Sequence, residues 1–150
     1  MRIYLDNCCY NRPYDDQSQL RISLESQAKL HIQKMIRDGE IELVTSFVLV
    51  FENSKNGSEE KKTSILQFMK NYSFKHIDSE LLEDVRKIAK EIMSTGVKQA
   101  DAAHTACAIL ADCDYMLTTD DRLLKYKSEK IRIINPTQFI MILGGIEYDQ

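Results

Sequence analysis

Four acidic residues of this 150-residue chain stand where a carboxylate could act on a substrate: Asp6, Glu52, Asp101 and Asp120. Asp6 and Asp120 each follow a strand-like run, and Glu52 follows five consecutive apolar residues. Asp101 lies in the first turn of an Ala-rich segment with good helix propensity. A single carboxylate at such a place is commonly a turn former or a helix cap. Four that converge on one crevice could not all stay ionised without a cation.

The donor type indicates which cation this would be. Carboxylate oxygens without a matching set of His or Cys favour Mg²⁺ or Mn²⁺ over zinc. The four cysteines, at positions 8, 9, 107 and 113, lack CxxC spacing, and we expect them to be reduced, mostly buried side chains. Divalent ions held by carboxylates can activate a water and stabilise a phosphoryl oxyanion. The pattern therefore favours metal-dependent phosphodiester hydrolysis.

Further residues near these carboxylates could contact the substrate or support the acidic side chains. They are Asn7, Arg12, His104, Thr118 and Asp121. His104 shares a helix face with Asp101 and is either a contact of substrate or carboxylate or a structural histidine. Thr118 could orient a water or a phosphate, or simply satisfy the end of a strand. Arg12 could contact phosphate, or be solvated in a polar loop.

The elements that must position these residues alternate between strands and helices. Strand patterns cover 2–5, 40–45, 115–118 and 131–134, and helical patterns cover 22–38, 47–53, 59–71, 79–93 and 99–111, with a last helix starting at Asn135-Pro136 and ending at Gly144-Gly145. Ser46 is expected to cap the helix over 47–53, and 11–18 is too charged and Pro-broken to be regular. The alternation predicts an α/β fold, a three-layer α/β/α sandwich with a mainly parallel central sheet. Ligands bind at the carboxyl ends of the strands in that architecture.

Length and composition predict one domain over residues 1–143, followed by a short tail over 144–150. The longest apolar runs have five residues, and charge appears too early in the N-terminus for a signal peptide, so we expect a cytoplasmic protein without a membrane segment. Twenty Lys and Arg against 23 Asp and Glu give a net charge of −3. A nucleic acid would therefore need a local basic patch. The stretch 122–132, with a local charge of +4, is the candidate, and a solvated helix face is the alternative.

Five segments of the sequence together resemble the PIN domains, a family that includes ribonuclease toxins of VapC type. They are Ile3-Tyr4-Leu5-Asp6-Asn7, Thr45-Ser46-x-x-x-x-x-Glu52, Lys98-x-x-Asp101-Ala102-x-His104-x-Ala106-Cys107-Ala108, Leu117-Thr118-Thr119-Asp120-Asp121-Arg122 and Ile134-Asn135-Pro136. The resemblance covers residues 1 to about 143. It implies a parallel-sheet fold and a divalent-metal site of Asp6, Glu52, Asp101 and Asp120. It also implies an RNA substrate and, as in many relatives, a partner antitoxin and a homodimer.

The sequence departs from the common family pattern at three places. Asn7 stands where Ser or Thr is frequent, and the segment 11–16 is longer and more polar than in a minimal toxin. Asp121 beside Asp120 leaves two choices for the fourth ligand, of which the family pattern favours Asp120.

Two other functions stay open. A metal-dependent phosphatase with an aspartyl nucleophile would want a second Asp where Cys8 stands, and a PIN-fold binding module with little catalysis would tend to lose acidic residues.

Overall fold

A five-stranded, fully parallel β-sheet forms the centre of the structure, a computed structural model that describes residues 1–145. The strands are β1 (Arg2–Leu5), β2 (Glu42–Ser46), β3 (Ser73–Ile77), β4 (Tyr115–Leu117) and β5 (Arg132–Ile134). Their order in the sheet is β3-β2-β1-β4-β5, and every neighbouring pair is parallel. The chain builds outward from β1 through β2 to β3, and then adds β4 and β5 on the other side of β1. This change of direction creates a crevice beyond the carboxyl ends of β1 and β4, where such sheets bind ligands.

Helices connect the strands and cover the sheet. Within residues 1–145 they are α1 (Asn7–Asn11), α2 (Leu20–Arg37), α3 (Phe47–Ser54), α4 (Glu59–Tyr72), α5 (Leu82–Met93), α6 (Gln99–Leu110), α7 (Asp121–Leu124) and α8 (Pro136–Leu143), with 3-10 turns at Arg12–Tyr14 and Ser79–Leu81. Helix α2 packs with α8, and α5 packs with α6. The predicted α/β architecture is confirmed, and the sheet is parallel throughout. None of the helices in the described part of the chain is both long and apolar enough to cross a membrane.

The central strands are buried completely, as expected of a parallel sheet that is covered by helices. The side chains of Ile3, Tyr4 and Leu5 in β1, and of Met116 and Leu117 in β4, are all inaccessible to solvent. The acidic residues that follow these two strands therefore project from the buried centre of the sheet.

Helix α6 is buried along most of its length by small side chains, including Ala102, Ala106 and Cys107. These small residues let the helix lie close against its neighbours. On α5, the apolar stripe that the sequence predicts is the buried side of the helix, with Val85 and Ala89 both in the core. Packing between α5 and α6 fixes the first turn of α6 at the crevice.

Local sequence signals predict some boundaries correctly and miss others. Ser46 caps α3 as predicted, since its Oγ accepts a hydrogen bond of 3.2 Å from the Leu49 amide. The turn expected after β1 is instead the start of α1. Strand β3 is absent from the prediction because only Ile77 of its five residues is buried, as is common in an edge strand. Gly144 ends α8 as expected, and positions 146–150 of the predicted tail lie outside the described residues.

Candidate active site

A polar cleft of about 380 Å³ lies at the carboxyl ends of β1 and β4. It is lined by Asp6, Asn7, Cys8, Asn11, Asp15, Glu52, Asp101, His104 and Asp120. All four acidic residues singled out in the sequence line it, although up to 114 positions separate them along the chain. Asp15 is a fifth carboxylate that the sequence reasoning missed. Its place in the polar segment that follows α1 is the signal that could have found it.

Asp6 is held rigidly where β1 ends. Its Oδ1 accepts a hydrogen bond of 2.8 Å from the Asn7 amide, which caps α1, and its Oδ2 accepts one of 2.8 Å from the Thr118 hydroxyl. The Thr118 Oγ1 also accepts a bond of 3.1 Å from the Asp120 amide. Thr118 is fully buried, and its hydroxyl links the ends of β1 and β4 through these two hydrogen bonds.

Glu52 is bound to the interior of the protein through His104. The Nε2 atom of His104 hydrogen-bonds the Oε1 atom of Glu52, and its Nδ1 lies 2.6 Å from the hydroxyl of Tyr4. That hydroxyl in turn lies 2.7 Å from the Oγ atom of Ser46. His104 is 1% exposed, and Tyr4 is the partner that sequence reasoning missed, because its position inside a buried strand gave no sign of a polar contact.

Contacts and charges in the cleft raise the pKa of His104. Burial alone would lower the pKa of His104, but the hydrogen bond to Glu52 and the negative charges of Asp6, Glu52 and Asp101 outweigh it and raise the pKa above its usual value. The Nε2 atom lies 3.8 Å from Oδ1 of Asp6. The imidazole therefore supports two of the cleft carboxylates.

The pKa of Asp101 depends on its burial and on the other carboxylates of the cleft. Partial burial, followed by the charges of Asp6 and Asp120, raises the pKa of Asp101 above its usual value. Asp120 caps α7, with its Oδ1 accepting a hydrogen bond of 2.9 Å from the Arg122 amide. Like charges on neighbouring carboxylates make the charged form of each less favourable. A cation in the cleft would remove this repulsion.

The donor set fits a hard divalent cation, since five carboxylates and Asn7 line one polar cleft. As placed, no three His, Cys, Asp or Glu side chains within residues 1–145 form a group that could hold a metal ion. Mg²⁺ usually keeps several waters and binds through one or two carboxylates, so it does not require three ligands around one point. The cleft residues could therefore hold a divalent cation that keeps most of its waters.

Comparison with known proteins identifies the fold. No family model matches the sequence, and no curated protein matches it. Among solved structures, the chain is similar to VapBC2 from Rickettsia felis bound to a DNA fragment from their promoter, with 14% sequence identity and a TM-score of 0.54 over 90% of this chain and 98% of that chain. FitAcB from Neisseria gonorrhoeae is 19% identical, with a TM-score of 0.55 over 89% of this chain and 97% of that chain. FitAB bound to an IR36 DNA fragment is 17% identical, with a TM-score of 0.59 over 99% of each chain. The chain has the PIN-domain fold.

Asp121 lies outside the cleft that Asp120 lines. The guanidinium of Arg21 donates to both carboxylate oxygens of Asp121, at 2.9 and 2.8 Å, and to the Thr119 carbonyl at 3.0 Å. The hydrogen bonds and charge of Arg21 hold the pKa of Asp121 below its usual range. Asp120 therefore lines the cleft, whereas Asp121 is paired with Arg21 outside it.

Arg12 is engaged with protein carboxylates. It donates from Nε to the buried Glu25 at 2.9 Å and from Nη1 to Asp15 at 3.1 Å. Asn11 and Asp15, which flank the 3-10 turn at Arg12–Tyr14, both line the cleft. The polar segment after β1 thus forms one wall of the site, and Arg12 ties that wall to α2.

The basic stretch 122–132 contributes side chains to two cavities that share Tyr126. Only α7 (Asp121–Leu124) is helical there, so the solvated helix face considered from the sequence is at most one turn long. Arg122 and Lys125 line a cavity beside the cleft, whereas Lys127 and Arg132 line a separate cavity of about 550 Å³ at the edge strand β5.

The four cysteines are free, as predicted; Cys9, Cys107 and Cys113 are buried, and Cys8 is partly exposed. The Cys8 thiol donates to Oδ2 of Asp6 at 3.4 Å and accepts from the Thr119 amide at 3.3 Å.

Proposed function

We propose that this PIN domain is a divalent-metal-dependent endoribonuclease in which Asp6, Glu52, Asp101 and Asp120 hold Mg²⁺ or Mn²⁺. The observation that carries the proposal is the convergence of these four carboxylates on one polar cleft at the switch point of a parallel sheet. The raised pKa of Asp101 supports it, because the cause includes repulsion that a bound cation would relieve.

A divalent cation bound there would supply an activated water and neutralise developing charge on a phosphoryl oxygen. The chain's own residues keep its ligands in place. The Asn7 amide and the Thr118 hydroxyl fix both oxygens of Asp6, and His104 holds one oxygen of Glu52. Ligands that are already oriented need little rearrangement when the reaction begins.

The residue two positions after Asp6 argues against the phosphatase alternative. A phosphatase with an aspartyl nucleophile would need a general acid there, and the Cys8 thiol instead forms a hydrogen bond of 3.4 Å to Oδ2 of Asp6. A metal-activated water is then the nucleophile that the cleft can provide.

We further propose that the protein is the cytoplasmic toxin of a toxin–antitoxin pair, that it forms a homodimer, and that a partner antitoxin neutralises it. Two observations support this proposal. Five sequence segments resemble VapC-type toxins, and solved structures with the same fold include VapBC2 and FitAB, each bound to a DNA fragment. Co-expression with the product of the adjacent upstream gene tests the role. We expect the two chains to co-purify and RNA cleavage to stop, and undiminished cleavage would contradict the toxin role but not the nuclease.

Cleavage of RNA by the purified protein tests the proposed activity. We expect internal cleavage of single-stranded or structured RNA in Mg²⁺ or Mn²⁺ and none in chelator, with Asp6→Asn slower by several orders of magnitude because an amide cannot share the charge of a cation. Cleavage that persists in chelator would contradict the proposal. So would phosphate release from small monoesters as the main activity.

A further inference from the structure

A second cavity, of about 270 Å³, adjoins the acidic cleft on the far side of Asp101. Its walls include Lys98, Asp101, Arg122, Leu123, Lys125 and Tyr126. Asp101 lines both cavities, so a chain-like ligand lying across the cleft would pass directly from one to the other.

Two of the cations of this cavity act on nearby carboxylates through their charge, Lys98 on Asp101 and Lys125 on Asp121. Within residues 1–145 the side chains of Lys98, Arg122 and Lys125 form no ion pair, and all three are exposed. Asp121, which lies next to Arg122 in the chain, is held by both nitrogens of the Arg21 guanidinium. Pairing of Asp121 with Arg21 thus leaves Arg122 available to an external anion.

Each side of the cavity is tied to a cleft carboxylate. Arg122 donates its amide to Oδ1 of Asp120, and Lys98 lies one turn before Asp101, with its carbonyl accepting the Ala102 amide at 2.9 Å. The backbone of Lys98 and that of Arg122 are therefore fixed relative to the proposed metal ligands.

The floor of the cavity is apolar. Leu123 is 1% exposed, and the half-buried Tyr126 adds an aromatic side chain to the wall. A site with cations around an apolar floor matches a nucleotide, whose phosphate is anionic and whose sugar and base have less polar faces.

We propose that Lys98, Arg122, Lys125 and Tyr126 form a basic subsite that binds the phosphate and sugar of the nucleotide adjoining the scissile bond of RNA. This inference rests on the proposed function. Lys and Arg contacts to phosphates position a nucleic acid without reading its sequence. The basic subsite would thus place the strand across the cleft and offset the repulsion between RNA and the acidic residues.

A triple variant with Lys98→Gln, Arg122→Gln and Lys125→Gln tests the subsite. The matched control carries Lys34→Gln, Lys87→Gln and Lys90→Gln, which remove the same charge from exposed positions on α2 and α5. Steady-state cleavage is measured in Mg²⁺ on a single-stranded RNA of about ten nucleotides. We expect KM to rise roughly 10- to 30-fold in the subsite variant, with kcat within about threefold of wild type. The salt slope of log KM should also fall by about 0.7, since one phosphate of a single strand would no longer be neutralised.

The outcomes separate the subsite from the nuclease. If the wild type cleaves RNA and both triple variants have the same KM, the subsite inference is overturned and the proposed function stands. A subsite variant with lowered kcat and unchanged KM also overturns it. If the folded wild type cleaves no RNA under any metal condition, the subsite inference and the proposed function are both wrong. Should the triple variant not fold, the three single variants replace it, each with an expected rise in KM of about threefold against its single control.

Discussion

Replacing the buried Lys29 by Met should stabilise the protein at neutral pH. Lys29 is 6% exposed, and its ammonium donates to Oε1 of Gln33 at 2.5 Å and lies 5.6 Å from the ring centres of both Tyr10 and Phe68. It has no carboxylate partner within residues 1–145. Burial lowers the pKa of Lys29 from 10.5 to about 8; the nearby Cys9 thiol opposes this fall, and the charge of Arg37 adds to it.

The size of the gain follows from that pKa. The difference between 10.5 and about 8 corresponds to about 3 kcal/mol of unfavourable free energy when the lysine is charged, because one pKa unit is about 1.4 kcal/mol. Contacts of the ammonium with the two rings and with Gln33 offset about 1 kcal/mol of it. Methionine has a similar length and an apolar end, so Lys29→Met should raise the free energy of unfolding by about 2 kcal/mol.

The gain should depend on pH in a defined direction. Below pH 8 the lysine is charged in the folded and unfolded states, so the wild type carries the whole penalty. Between pH 8 and 10.5 the folded protein has lost the proton that the unfolded chain still binds, and the wild type gains stability relative to the variant as pH rises. Above pH 10.5 the advantage of Lys29→Met should be gone.

Urea unfolding of the wild type and Lys29→Met at a series of pH values measures this difference. Lys34→Met, an exposed change on the same helix, is the control and should have little effect at any pH. A gain that does not change with pH, or a variant less stable than the wild type at pH 7, would refute the reasoning.

Three further predictions concern the cleft and its support. Asp101→Asn should abolish cleavage. It should also stabilise the metal-free protein by about 1 kcal/mol after solvent screening, because it removes one of several repelling charges. Thermal melts in chelator measure the gain in stability, and its absence would show that the carboxylates do not repel each other. Thr118→Val removes the hydroxyl that donates to Asp6 and should lower kcat about tenfold in the RNA assay. Thr118→Ser should restore most of that rate. Equal rates for the two variants would contradict the role of the hydroxyl in orienting Asp6. Glu25→Gln should cost about 3 kcal/mol in denaturant unfolding, since it leaves two arginines without their buried carboxylate, and a loss below about 1 kcal/mol would argue against that pairing.

The acidic residues of the cleft could be found in the sequence because each has a local signal. Asp6 ends an apolar strand, Asp101 begins an Ala-rich helix, and Glu52 interrupts the pattern of an apolar helix. In a parallel sheet the carboxyl ends of all strands share one edge, so the predicted fold already implied that these residues approach each other.

The contacts that orient these residues could not be predicted, because they join distant parts of the chain. His104 and Glu52 are 52 residues apart, and Thr118 and Asp6 are 112 apart. No spacing rule links such pairs. For the same reason, only the structure distinguishes Asp120 from Asp121, since the deciding partner, Arg21, is 100 residues away. Strand β3 was missed because an exposed edge strand lacks an alternating apolar pattern.

A comparison of Asp120→Asn with Asp121→Asn tests most directly whether the cleft carboxylates form one metal-dependent nuclease site. The two variants make the same chemical change at adjacent positions, but only Asp120 lines the cleft. Titration of each protein with Mn²⁺, followed by electron paramagnetic resonance and paired with RNA cleavage, measures both binding and activity. The account predicts that Asp120→Asn weakens Mn²⁺ binding at least about tenfold and abolishes cleavage, whereas Asp121→Asn retains both. Equal effects of the two substitutions, or Mn²⁺ binding that survives Asp120→Asn unchanged, would contradict it.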